Sequence, residues 1–294
     1  MNVKQIVKVF ALAAVVFSFL NFSVLSDGTR KDALSAYNAG SKLANENPKA
    51  AIDSLLLALS IAEELDSNGL DIVAKTTKKL PGLYYNVAVK SYKAKSYSAA
   101  IKELLEAKGV AEKYEDAKTV KRVSKTLYAA YYKEGKSSFK AKDFGAALVS
   151  FDNSLAVKED YMTALFYKGR THKELKQYDK MITSLDKVIE LGGEDEKKAK
   201  IVGASKSAAA SGLKAQGKDA AKAGDHNAAI SSYEKAMTYL PENEEKRAGY
   251  YFEIGKSYQK SGQKGKACEA YKKASFGKYK ENAEYKIEND LKCN

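Results

Sequence analysis

Proline is scarce in this chain of 294 residues, at three, and cysteine and histidine are scarcer still, at two each. Scarce proline leaves long helices uninterrupted, since each proline removes a backbone donor and its ring clashes with the carbonyl four residues earlier. The two histidines, His172 and His226, have no second His, no Cys and no paired carboxylate one helical turn away, so no metal set of the kind a helix supports is visible. Strand alternation is missing, and no Gly-x-Ser-x-Gly turn occurs, which removes the nucleophile elbow and argues against an enzyme. No cofactor is implied. Beyond the first residues no apolar run is long enough to cross a bilayer, so no transmembrane segment is expected in the mature chain.

The start of the chain is the exception. Lys4 and Lys8 precede an apolar run from Val9 to Phe22, with small residues at Val24 and Ser26, the pattern of a secretory signal peptide covering residues 1–26. Retention as a membrane anchor is the alternative, although the run is short for a span of about 20 residues. No cysteine lies near the boundary to accept a lipid. Cleavage would remove two lysines and no acid, taking the formal charge from +13 to +11. A basic balance fits acidic partners, nucleic acid or anionic surfaces. Export sets nucleic acid aside, and a solvated lysine-rich helix surface accounts for much of the charge.

The chain is also repetitive. One pattern returns at Tyr131, Gly135, Ala147, Phe151 and Ser154, at Leu165, Gly169, Met181, Leu185 and Val188, and at Leu213, Gly217, Ala229, Tyr233 and Ala236. It is fullest at Tyr251, Ile254, Gly255, Tyr258, Gly262, Ala267, Tyr271 and Ala274. Weaker copies stand at Ala36, Gly40, Ala51, Leu55 and Ala58 and at Tyr84, Val87, Ala88, Ala100, Leu104 and Ala107. Small residues fall where two helices must touch, and a hairpin that cannot bury its own apolar face must stack on neighbours. The pattern resembles the tetratricopeptide repeat, whose helix-turn-helix units mostly serve as scaffolds for peptides or other proteins. The resemblance implies an all-α fold, a right-handed superhelical α-solenoid of about six repeats over 32–275. Repeat cores are expected near 32–65, 82–113, 128–157, 162–191, 210–240 and 248–275, with a capping segment over 276–294.

Taking Gly40, Ala88, Gly135, Gly169, Gly217 and Gly255 as markers gives intervals of 48, 47, 34, 48 and 38 residues. Three exceed the usual repeat of about 34 by 13 or 14, close to four turns of helix, so whole turns inserted there would keep the packing face. Proline-free stretches over 115–142 and 194–223 fit such long helices. Near Ser67, Asn68 and Gly69 a turn is expected instead, followed by a short extra helix over 70–79. Pro48 and Pro81 are both expected in first turns, where a missing N–H costs nothing. The marker glycines read as packing residues, and both histidines occupy slots that such repeats fill with bulky side chains.

Cys268 and Cys293 would pair in an oxidising compartment and staple the final repeat to a cap whose apolar face is Tyr285, Ile287 and Leu291. Two free thiols are the alternative. In tetratricopeptide proteins the inner groove is lined by first-helix residues. Three residues before the markers stand Tyr37, Tyr85, Tyr132, Phe166, Lys214 and Phe252, and one residue after them Ser41, Val89, Lys136, Arg170, Lys218 and Lys256. A turn further come Ala44, Tyr92, Phe139, Lys173, Ala221 and Gln259. These columns share one helix face, giving a groove with an aromatic floor and a cationic stripe suited to an acidic or C-terminal peptide. Of the carboxylate-clamp members' groove set only Asn86 has a counterpart, unsupported by cations in its own copy. The expected function is therefore a non-catalytic scaffold or envelope-complex subunit, periplasmic or at the cell surface, binding a protein or peptide. The alternative is a surface-associated basic protein binding acidic polysaccharide or lipid.

Overall fold

The computed structural model describes residues 28–293, so the expected leader lies outside the described residues. Thirteen α-helices and no strand occur among them. Twelve follow one another as hairpins: α1 (Arg30–Leu43) and α2 (Pro48–Glu63), α3 (Leu70–Lys93) and α4 (Tyr97–Lys113), α5 (Ala117–Lys140) and α6 (Phe144–Val157). Then come α7 (Met162–Glu174) and α8 (Tyr178–Gly192), α9 (Ala199–Lys222) and α10 (His226–Met237), and α11 (Glu244–Lys260) and α12 (Lys264–Ala274). The short α13 (Lys280–Tyr285) runs into a π turn at Lys286–Asp290. The architecture is an all-α solenoid of stacked hairpins, in two compact units, Met1–Glu134 and Gly135–Asn294, whose boundary falls inside α5. No described helix is long and apolar enough to cross a membrane.

Polar residues start the helices. Thr29 and Asp32 form a reciprocal capping box on α1, while Asn47, Asp143, Asp225 and Asn243 each accept a backbone N–H from the first turn of α2, α6, α10 and α11. The markers do what close helix contact requires. A Cβ on Gly135, Gly169, Gly217 or Gly255 would fall 2.5–2.9 Å from Phe151, Leu185, Tyr233 or Tyr271 of the partner helix, closer than side chains pack.

Three first helices are each 24 residues long, α3, α5 and α9. Each places its marker eighteen residues after its first residue and five before its last. Twelve, eight and five residues before the marker, the added turns bury Thr76, Leu80 and Leu83 on α3, Val123, Leu127 and Ala130 on α5, and Ser205, Ala209 and Gly212 on α9. The four-turn reading of the spacing is correct at all three places, including the first, where a separate short helix over 70–79 was expected. The turn there is confined to Asp66–Asn68. Gly69 ends it by lying against the Ala62 carbonyl, where a Cβ would sit 1.8 Å from the oxygen. The helix then runs on through Pro81, which is interior rather than in a first turn. Burial of Ile72, Leu80 and Leu83 against Ile61, Ala62, Leu55 and Leu59 offsets the roughly 3 kcal/mol such a proline costs.

At the C-terminal end Ala283 and Leu291 join Ala267, Tyr271 and Ala274 in one core, with Ile287, Cys268 and Cys293 packed against it. The two cysteines form a disulfide with a Cα–Cα distance of 5.9 Å. Tyr285 is not part of this face. It is 58% exposed, because the π turn that follows rotates Ile287 and Leu291 inward and leaves Tyr285 outside.

Candidate partner-binding face

The charge is segregated by helix type. The six first helices hold 27 Lys and Arg against 8 Asp and Glu, a net +19, whereas the six second helices hold 11 of each and are neutral. The positive balance of the paired helices is therefore carried by the first helices.

In the first unit the cations come from an unexpected place. Tyr37 and Tyr85, three residues before their markers, each carry a cation supplied by the added turns of the following helix. Lys79 Nζ lies 4.9 Å from the Tyr37 centroid and donates to Ser41 Oγ at 2.8 Å. The Arg122 guanidinium lies 4.2 Å from the Tyr85 centroid, and Tyr85 Oη is hydrogen-bonded to Thr126 Oγ1 at 2.9 Å. Lys79 and Arg122 were not legible as site residues, because their register depends on how far α3 and α5 slide along the preceding hairpin. Tyr92 packs edge-on against Tyr97, centroids 5.8 Å apart. Tyr132 is only 7% exposed and offers little surface to a ligand.

In the second unit the expected residues converge more tightly. The Arg170 guanidinium on α7 rests on three rings at once, 5.1 Å from Phe139, 5.7 Å from Phe166 and 5.3 Å from Tyr167. Lys136 lies 5.4 Å from the same Tyr167 ring. Phe139 and Phe166 each meet Tyr167 edge-on. A guanidinium so placed gains cation–π attraction from the rings and keeps N–H donors suited to a carboxylate. Arg170 makes no ion pair or hydrogen bond among the described residues.

Lys173 donates to Ser211 Oγ at 2.9 Å. Lys214, half-buried, stands 4.6 Å over the Tyr250 ring, and its desolvation, with nearby Lys218, pulls its pKa down. Lys218 is exposed, and Lys256 is paired with Glu253 at 3.0 Å. Phe252 is packed between Tyr271 and Tyr279 and belongs with the C-terminal cap. Asp219 fixes α9 by accepting from Lys176 Nζ at 2.8 Å and Tyr178 Oη at 2.9 Å. Burial, and after it that carboxylate, push the Tyr178 hydroxyl up to about 12. Among the described residues no group of three His, Cys, Asp or Glu could hold a metal ion.

Family models of the tetratricopeptide repeat match residues 163–191 and 248–275. No curated protein matches the sequence. Among solved structures the chain is similar to MamA MSR-1, at 20% identity over 70% of this chain and 99% of that one, with a TM-score of 0.33. MamA AMB-1 matches at 19% identity over 66% and 89%, TM-score 0.34. MamA from Desulfovibrio magneticus RS-1 matches at 20% identity over 66% and 92%, TM-score 0.32.

Proposed function

We propose that this chain, which carries tetratricopeptide repeats, is a non-catalytic scaffold of the bacterial cell envelope. It holds an acidic or C-terminal segment of a protein partner on the first-helix face of its second unit. The observation that carries this reading is Arg170, a guanidinium close to three aromatic rings that meets no carboxylate among the described residues. Lys136 and Lys218 extend the cationic stripe to either side, and Phe139, Phe166 and Tyr167 supply apolar surface for a neighbouring side chain. The Cys268–Cys293 disulfide supports an oxidising compartment, since such bonds persist outside the cytosol.

The test is affinity capture from native envelope extract by residues 27–294, beside a variant with Lys136, Arg170, Lys218 and Lys256 all changed to Glu. A discrete acidic protein retained by the unaltered chain alone is the expected outcome. Equal capture by both removes the stripe from the proposal. A second reading, diffuse binding of acidic polysaccharide or lipid, is favoured by one observation. The added turns of α3 and α5 expose Lys75, Lys78, Lys79, Lys118, Lys121, Arg122 and Lys125, with Asp71 the lone acid among those turns. That reading predicts capture that survives the four substitutions and fades steeply with salt.

A further inference from the structure

Three lysines of the second unit gather without a counter-ion. Lys214 is half-buried on α9, its Nζ 4.6 Å over the Tyr250 ring of α11. Lys218 stands one helical turn further along the same face of α9 and is exposed. Lys278, also exposed, comes from the turn between α12 and α13, and its Nζ lies 5.4 Å from the Tyr279 ring. Tyr279 lies against Gly249 and Phe252, which flank Tyr250 along α11, so the two rings and their cations form one patch.

The charges act on one another. Desolvation is the main influence on Lys214 and lowers its pKa, Lys218 and Lys278 push the same way, and Glu253 opposes them. Glu253 is already paired with Lys256 at 3.0 Å, and Glu245, which lies against Gly277, forms an ion pair with none of the three. Like charges gathered around a half-buried ammonium cost free energy, which an anion held between them would recover. The rings attract Lys214 and Lys278 without using up their N–H donors. A carboxylate would bring one negative charge. A phosphate group brings about two and three acceptor oxygens, and ammoniums serve as point charges for such groups.

We propose that Lys214, Lys218 and Lys278 form a binding site for a phosphate dianion, either free in solution or the phosphomonoester headgroup of a lipid. The site stands apart from Arg170 and its rings, so it goes beyond the partner-binding reading and holds whether or not that face takes an acidic segment.

The test titrates inorganic phosphate by isothermal titration calorimetry, at pH 8 and fixed ionic strength, against residues 27–294, which hold every described helix. One phosphate per chain is expected, bound about tenfold more weakly by Lys278→Gln and by Lys218→Gln, as loss of a charge-assisted contact does. Both side chains are exposed, so neither change should move the melting temperature measured without phosphate. Lys235→Gln removes the same charge from an exposed site on α10 and is expected to leave phosphate binding unaltered. Phosphate should also slow acetylation of Lys214 by acetic anhydride more than that of Lys235, read by peptide mass spectrometry. Absence of binding, or of protection at Lys214, overturns the site. Equal weakening by all three variants overturns it too, since that marks attraction to total charge. Vesicles of phosphatidylcholine with and without phosphatidate separate the two sources. Sedimentation with the phosphatidate vesicles alone, lost in Lys278→Gln, assigns the lipid headgroup, and phosphate binding without sedimentation assigns the free anion.

Discussion

His172 is 5% exposed on α7, with Nδ1 2.8 Å from Gln177 Oε1. Burial is the main influence on its pKa and lowers it, Lys168 and Lys180 push the same way, and Gln177 and Asp152 oppose them. A base whose folded pKa lies below its unfolded one holds fewer protons when folded. Its contribution to stability is therefore present above the ordinary histidine value and lost as pH falls below it. The urea midpoint should drop between pH 7.5 and pH 5.5, and the drop should be smaller in His172→Phe, which fills the slot with an aromatic side chain. Identical pH dependence in the two proteins would sink this. The histidine's structural role was legible from its place in the repeat pattern. The cations over Tyr37 and Tyr85 were not, because Lys79 and Arg122 sit on the following helices and their register is set by packing.

Between first and second helices the turns share a feature that the residue pattern concealed. Seven residues past the marker the backbone is left-handed at Lys95, Lys142, Lys176, Gly224 and Gly262, with φ between 54° and 84°. Glycine holds the position in the last two repeats, where the pattern was clearest, and lysine in three others, where side-chain identity gave no sign of the conformation. A non-glycine residue there costs about 1–2 kcal/mol, while glycine loosens the unfolded chain by about 0.4–1 kcal/mol, so relief of strain wins. Lys142→Gly is expected to raise unfolding stability by about 0.5–1 kcal/mol in urea titration. No gain, or a loss, would mean that the lysine stem contributes packing of its own. The long helices show the same division. Spacing between markers announced their added turns, since whole turns preserve the buried face. Pro81 hid one of them, because its local preference points to a helix start, and burial along α3 overrides it.

At the scale of the molecule, stability is built from neighbours. Each hairpin of a solenoid touches chiefly those beside it, so a change at one end acts there first and fades along the stack. The disulfide closes a loop of 25 residues within the second unit, and in the chain-entropy account such a closure contributes about 3 kcal/mol. Its bond ties α12 to the segment after α13, and Ala283 of α13, with Ile287 and Leu291 beyond it, covers the last repeat's apolar face. Reduction, or Cys268→Ser with Cys293→Ser, should therefore speed amide exchange in α12 and α13 and leave α1 and α2 at their original protection, which hydrogen-exchange mass spectrometry resolves segment by segment. The cap is then a local staple. A uniform loss of protection from α1 to α13 would instead make the chain one cooperative body, and the end cap would govern the stability of every repeat.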